Sequence, residues 1–196
     1  MKNNKDVVLY KILRPIVTIL FKVLYRPKII GKENIKKIGR IILAGNHTNN
    51  FDSVLLISST KRNIHFLAKI ELFRGIKKIL FNNLGLIPVD RSKKDHNVLK
   101  KAYDYLENEK VIGIYPEGTF GKGKILPFKI GAVKMAYETN TEIVPFAITG
   151  TYKLFSKDLK IVFDKPVKIK SKDLEKENEK LRNIVVKLVS ENNEYI

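Results

Sequence analysis

Asn46-His47-Thr48-Asn49-Asn50-Phe51-Asp52 separates an apolar, β-branched run from Arg40 to Ala44 from a second apolar run, Val54 to Ile57. This pattern reads as a polar corner between a buried strand and a helix. On a regular helix, side chains five positions apart point about 140° apart, so His47 and Asp52 meet only if the chain between them turns. Asn49 and Asn50 tolerate left-handed backbone and make such a turn easy. A carboxylate would then hold the imidazole in one tautomer and leave its other nitrogen free to take a proton from a hydroxyl. The plainer alternative is that His47 ends a strand and Asp52 or Ser53 caps a helix, without chemistry.

Outward from this corner, strands alternate with helices. Strands are expected at 63–68, 85–91, 111–115 and 143–148. Helices are expected at 69–82, 95–108, 129–138 and 173–190, the last with Leu174, Leu181, Ile184, Val185 and Leu188 turned inward. Leu159–Phe163 and Val167–Lys170 resemble a hairpin or an edge pair, and Pro27–Gly39 reads as a basic connector. The pattern indicates an α/β domain with a largely parallel, mixed sheet flanked by helices. In such sheets functional residues gather at the carboxyl ends of strands. Here those ends carry His47 and Asp52, then Lys69, then Asp90 and Arg91, then Glu117, Gly118 and Thr119. Arg91, Lys69 and Lys129 suit a phosphate, and the Gly118 turn can bring N–H groups to an anion.

The chain has 196 residues, 44% of them hydrophobic, which suits one domain with a proper core. It has no cysteine, which excludes thiol nucleophiles, cysteine-ligated metals and disulfides. Its three histidines, His47, His65 and His96, are scattered, so no metal site is expected. A net charge of +18 points to anionic partners: phospholipid, a phosphorylated substrate, an acidic carrier or nucleic acid.

The segment Val7–Tyr25 is apolar apart from Lys11, Arg14 and Lys22, and its longest uncharged run, Pro15–Phe21, is far short of the roughly 20 residues that span a bilayer. Lys11, Arg14, Thr18, Lys22 and Arg26 recur as one polar stripe on a helix that is otherwise apolar, with Leu20 and Phe21 among its large side chains. That arrangement fits a helix lying in a membrane interface, and the alternative is a helix packed on the domain's own core. Pro15 is expected to kink or divide it.

Six blocks between about residues 40 and 150 then resemble, in order, the glycerolipid acyltransferase family. Asn46-His47 with Asp52 is similar to its His, four residues, Asp motif. Ala68-Lys69-Ile70-Glu71-Leu72, Gly85–Arg91, Tyr115-Pro116-Glu117-Gly118-Thr119, Phe128–Ala132 and Ile143–Phe146 are similar to the blocks that follow. Length and the amphipathic start most resemble bacterial members that acylate 1-acyl-glycerol-3-phosphate. The resemblance implies a two-helix membrane-embedded motif within residues 1–38 and an acyltransferase αβ domain over 39–196. It implies His47 as general base and Asp52 as its orienting carboxylate, acting on the sn-2 hydroxyl of lysophosphatidate as it attacks an acyl thioester. No covalent acyl-enzyme is expected. Arg91, Lys69, Lys129, Gly118 and Thr119 would bind the phosphate, and Glu117 and Asn46 would orient the substrate. Lys11, Arg14, Leu20, Phe21 and Lys22 would hold an anionic membrane, at the cytoplasmic face of the cell membrane. The implied co-substrate is acyl carrier protein or coenzyme A thioester, with no bound cofactor. Phe120 stands where the family usually has an arginine, with Lys122 or Lys124 as replacement charges. That departure keeps glycerol-3-phosphate or another lysolipid as an alternative acceptor. A basic nucleic-acid-binding protein and a non-catalytic lipid-binding relative are the alternatives of other classes, although no nucleic-acid module is recognised.

Overall fold

In the computed structural model, residues 8–90, 99–121 and 123–193 are described. A seven-stranded sheet forms the centre, built from β1 (Lys28–Ile30), β2 (Ile41–Gly45), β3 (Ile64–Lys69), β4 (Ile87–Val89), β5 (Val111–Ile114), β6 (Ile143–Thr149) and β7 (Lys160–Phe163). Its order is β1-β7-β6-β2-β5-β3-β4. The five strands from β6 to β4 are parallel; β7 pairs antiparallel with β6 and parallel with β1. The helices are α1 (Val8–Tyr25), α2 (Asp52–Ser59), α3 (Ile76–Asn83), α4 (Lys100–Glu107), α5 (Gly131–Glu138) and α6 (Leu174–Asn192).

Every residue of β2 and of β6 is buried, as expected of central strands covered on both faces. The strand period of two divides their side chains between layers. Ile41 and Leu43 join Phe21, Leu55 and Leu56 in a core under α1 and α2, whereas Ile42 and Ala44 join Ala102, Leu106, Ala132, Leu181 and Val185 under α4, α5 and α6. The first turn of α2 begins immediately after the polar corner, where the Asn49 side chain accepts the Phe51 N–H at 3.1 Å and its carbonyl accepts the Asp52 N–H at 3.1 Å.

Four expectations need correction. The basic connector contains β1, which pairs with β7, and Tyr10 and Phe21 of α1 are core residues, so residues 8–38 pack as part of the sheet domain. Among the described residues a single helix precedes β1. Pro15 sits inside it without dividing it, and no described helix is long and apolar enough to cross a membrane. The helix expected over 69–82 is broken: a 3-10 turn, Ile70–Leu72, is separated from α3 by Gly75 at φ 54°. Finally, β7 does not pair with the segment after it, because Val167 bridges to Ile143 instead.

Candidate active site

His47 and Asp52 meet. His47 Nδ1 lies 2.8 Å from Asp52 Oδ2, and the same oxygen accepts the backbone N–H of Thr48 at 2.6 Å and of Asn49 at 2.9 Å. Oδ1 accepts the Thr48 hydroxyl at 3.0 Å and the Tyr152 hydroxyl at 2.5 Å. A carboxylate with no solvent exposure is stable only when its lone pairs are satisfied, and here five donors do so. Because Asp52 can only accept, the proton of neutral His47 sits on Nδ1, which leaves Nε2 as the basic nitrogen.

The backbone of His47 is clamped as well. Glu117 Oε1 accepts its N–H at 2.8 Å, and its carbonyl accepts the Gly121 N–H at 2.9 Å. Its ring stacks on Tyr115 at 4.1 Å and meets Phe120 at 4.4 Å. Burial, followed by the Asp52 charge, pushes the Tyr115 hydroxyl well above its ordinary range. The same two causes, with the hydrogen bond to Asp52 added, raise Tyr152, so both hydroxyls stay protonated; Tyr152 donates to Asp52, and Tyr115 accepts the Ser53 hydroxyl at 3.4 Å. Thr48, Tyr115, Phe120 and Tyr152 were not assigned to the dyad from sequence. Tyr152 follows the end of β6, a parallel strand end like those that carry His47, Lys69 and Glu117, and that position is the signal for it in the sequence.

The other expected residues divide. Lys69, Lys129, Gly118 and Thr119 line one cavity of about 570 Å³ together with His47, and its walls include Phe66, Leu67, Leu72 and Leu86. Among the described residues, neither ammonium group has an ion-pair partner. The Gly118 N–H donates to the Tyr115 carbonyl at 3.0 Å, which corrects its assignment as an anion donor. Its contribution is space: at φ 72° a Cβ would stand 2.9 Å from Lys129 Nζ. Asn46 and Glu117 are likewise corrected from substrate orientation to scaffold. Asn46 exchanges two hydrogen bonds with the Ile148 backbone, at 2.9 and 2.7 Å, and Glu117 joins His47 N–H to Leu126 N–H, each at 2.8 Å. Arg91 and Lys122 lie outside the described residues. A second cavity, of about 630 Å³, opens at the β6 side of β2 and is also lined by His47.

In α1, Lys11, Leu20 and Lys22 are exposed, and Ile12, Ile16, Ile19 and Val23 add to the outer face. Phe21 is corrected from a membrane residue to a core residue, 4.7 Å from Tyr25 and 6.4 Å from Tyr152. Arg14 also turns inward, its guanidinium donating to the Thr60 carbonyl. Among the described residues no group of three His, Cys, Asp or Glu side chains could hold a metal ion.

Fold and site define an α/β protein with a carboxylate-oriented histidine at the carboxyl edge of its parallel strands, beside an apolar, lysine-bearing cavity. Residues 26–149 match the family described as Acyltransferase, and the chain belongs to that family. It is 33% identical over 135 residues to the 1-acyl-sn-glycerol-3-phosphate acyltransferase of Borreliella burgdorferi, covering 67% of this chain and 54% of that one. It is 32% identical over 136 residues to the protein of the same name from Helicobacter pylori, covering 63% and 56%. The chain spans about half the length of these curated relatives. The crystal structure of the 1-acyl-sn-glycerophosphate (LPA) acyltransferase PlsC from Thermotoga maritima has the same fold, with a TM-score of 0.75 and 23% identity over 97% of this chain and 83% of that one.

Proposed function

We propose that this protein transfers a fatty acyl group from an acyl thioester, of acyl carrier protein or coenzyme A, to the sn-2 hydroxyl of 1-acyl-glycerol-3-phosphate, giving phosphatidic acid for phospholipid synthesis. The observation that carries this reading is the His47–Asp52 dyad at the edge of a cavity that offers apolar walls and two ammonium groups, those of Lys69 and Lys129, with no ion-pair partner among the described residues. An amphiphile with one alkyl chain and one phosphate matches that lining, and the names of the relatives agree.

In this reading His47 Nε2 removes the hydroxyl proton as the oxygen attacks the thioester carbonyl, while Asp52 stabilises the imidazolium that forms. Lys69 and Lys129 hold the phosphate. The N–H groups of Thr119 and Phe120 have no hydrogen bond among the described residues and supply donors for the tetrahedral oxyanion. The outer face of α1, apolar from Ile12 to Val23 and flanked by Lys11, Lys22 and Arg26, rests on the anionic cytoplasmic surface of the cell membrane.

The test is acyl transfer from a long-chain thioester in detergent, with lysophosphatidate and glycerol-3-phosphate as rival acceptors and His47→Ala as control. Transfer to lysophosphatidate that collapses in the variant is the expected result. Transfer only to glycerol-3-phosphate moves the acceptor assignment, and undiminished activity in the variant removes His47 from the mechanism. In a vesicle flotation assay, attachment through α1 partly survives high salt, whereas binding to a nucleic acid falls steeply with salt.

A further inference from the structure

Among the described residues, the two cavities at the strand ends share one lining residue, His47. The sheet order sets β2 between β6 and β5, and the cavities fall on its two sides: one over β5 and β3, the other beside the end of β6, the loop after it and the end of α6. We propose that the β6-side cavity binds the thiol arm of the acyl donor, the polar chain of amides and phosphate that departs when the acyl group is transferred. This rests on the acyl-transfer reading above and adds to it where the second substrate enters.

Three observations argue for it. Direct transfer requires acceptor hydroxyl and thioester carbonyl at one base together, so two approaches must converge there, and His47 is the residue that, among the described ones, lines both cavities. Their linings also differ in chemistry. The β5-side cavity is walled by Phe66, Leu67, Leu72 and Leu86, whereas the other adds to Ile125, Ile148 and Val189 the small polar set Thr149, Gly150, Thr151 and Ser156, with Lys124 and Lys153 at its exposed rim. The Thr149 and Thr151 hydroxyls donate to Asn192 and Asp158, so the peptide groups and the Ser156 hydroxyl, which accepts the Asp158 N–H and keeps its own proton to donate, suit the amides of a pantetheine-type chain, and the rim lysines suit its phosphate. Finally, both carboxylates in this cavity are already committed: Asp158 Oδ2 accepts the N–H and the hydroxyl of Thr151, each at 2.8 Å, and Glu117 accepts the N–H groups of His47 and Leu126, each at 2.8 Å. Among the described residues neither rim lysine has an ion-pair partner.

The reaction closes across the two cavities. The acceptor oxygen loses its proton to His47 Nε2 and forms the bond to the acyl carbon; the carbon–sulfur bond breaks, and the thiolate leaves on the β6 side. It takes the proton back from Nε2, so histidine returns to its neutral form and the products are an ester and a free thiol.

Two variants outside the dyad test this: the double charge reversal Lys124→Glu with Lys153→Glu, and Ser156→Trp, which fills the cavity. Steady-state kinetics would vary each substrate at saturation of the other, in protein whose melting temperature matches wild type. The expected result is a KM for the thioester raised about tenfold, with the KM for lysophosphatidate unchanged. A thioether analogue of the donor, competitive against thioester in wild type, would weaken by about the same factor. An unchanged thioester KM, or a rise confined to lysophosphatidate, overturns the assignment. If wild type transfers to no acceptor, the acyl-transfer reading fails. Calorimetric binding of the thioether analogue to wild type and the double variant then still decides the cavity: equal binding overturns it, weakened binding supports it.

Discussion

His47 and His65 are built alike up to a point. Each stacks on a tyrosine at 4.1 Å, His47 on Tyr115 and His65 on Tyr105, and each places Nδ1 within 2.9 Å of an oxygen. They differ in that oxygen and in access. His65 sits inside β3, 2% exposed, and gives its proton to the neutral carbonyl of Gly85. His47 sits beyond the end of β2, its side chain 20% exposed, and faces a carboxylate. Burial without a counter-charge lowers the pKa of His65 below its ordinary value, and Lys110 and Lys101 lower it further despite the Gly85 bond. A buried histidine is therefore not a base in waiting. Charge compensation on one nitrogen and access to the other distinguish the two, and both come from position relative to a strand end.

Exchanging the two residues for alanine separates them most widely. His47→Ala is expected to lower kcat by about 10³-fold with little change in melting temperature. His65→Ala is expected to leave kcat within about threefold while removing roughly 2 kcal/mol of stability, read by denaturant unfolding. If both variants lose activity alike, the contrast is wrong.

Asp52→Asn tests the counter-charge. It is expected to cost roughly 10²-fold in kcat, because an amide no longer stabilises the imidazolium. It also sets an NH₂ group against some of five donors, at about 1–3 kcal/mol of stability. Activity retained at low melting temperature would reduce Asp52 to a helix cap.

Tyr152→Phe is gentler and more diagnostic. The carboxylate keeps four donors, so a fall in kcat of about tenfold or less is expected. With one donor fewer the carboxylate is held less firmly against His47 Nδ1, so the loss is expected in kcat with the KM for lysophosphatidate unchanged. A rise in the KM for lysophosphatidate with kcat unchanged removes Tyr152 from the support of the dyad.

The smallest effect concerns His65 and pH. Its folded pKa lies below the ordinary 6.5, so between those values the unfolded chain binds a proton that the folded chain refuses. Its contribution is complete above about pH 6.5 and is lost as pH falls below, with a slope of up to about 1.4 kcal/mol per pH unit. In His65→Phe the acid side of the stability profile should flatten. An unchanged profile means that His65 binds its proton equally well in the folded and unfolded chain, against the lowered value.

The polar corner was legible because its signals are local: apolar runs on both sides, turn-tolerant residues between, and a helix start at Asp52. What the sequence concealed was non-local. Asn46 and Glu117 look like site residues by position, yet their polar atoms are consumed by Ile148 and by His47 and Leu126. Tyr152 reaches Asp52 from 100 positions away. Lys28-Ile29-Ile30 is too short and too cationic to announce an edge strand, and only its pairing with Lys160, Ile161 and Val162 makes it one. The stripe of α1 showed that the helix is amphipathic but not which apolar side would be buried. Tyr10 and Phe21 face inward, and Ile12, Ile16 and Ile19 face out.

The α/β alternation and the strand-end position of His47 and Asp52 follow from periodicity and spacing along the chain, which sequence records directly, and the family blocks follow from resemblance of local sequence. The sheet order, the five donors on Asp52, the commitment of Asn46 and Glu117, and the meeting of two cavities at one imidazole required the folded chain. They depend on contacts between residues distant in sequence, and local propensity carries no information about which distant atom will satisfy a buried polar group.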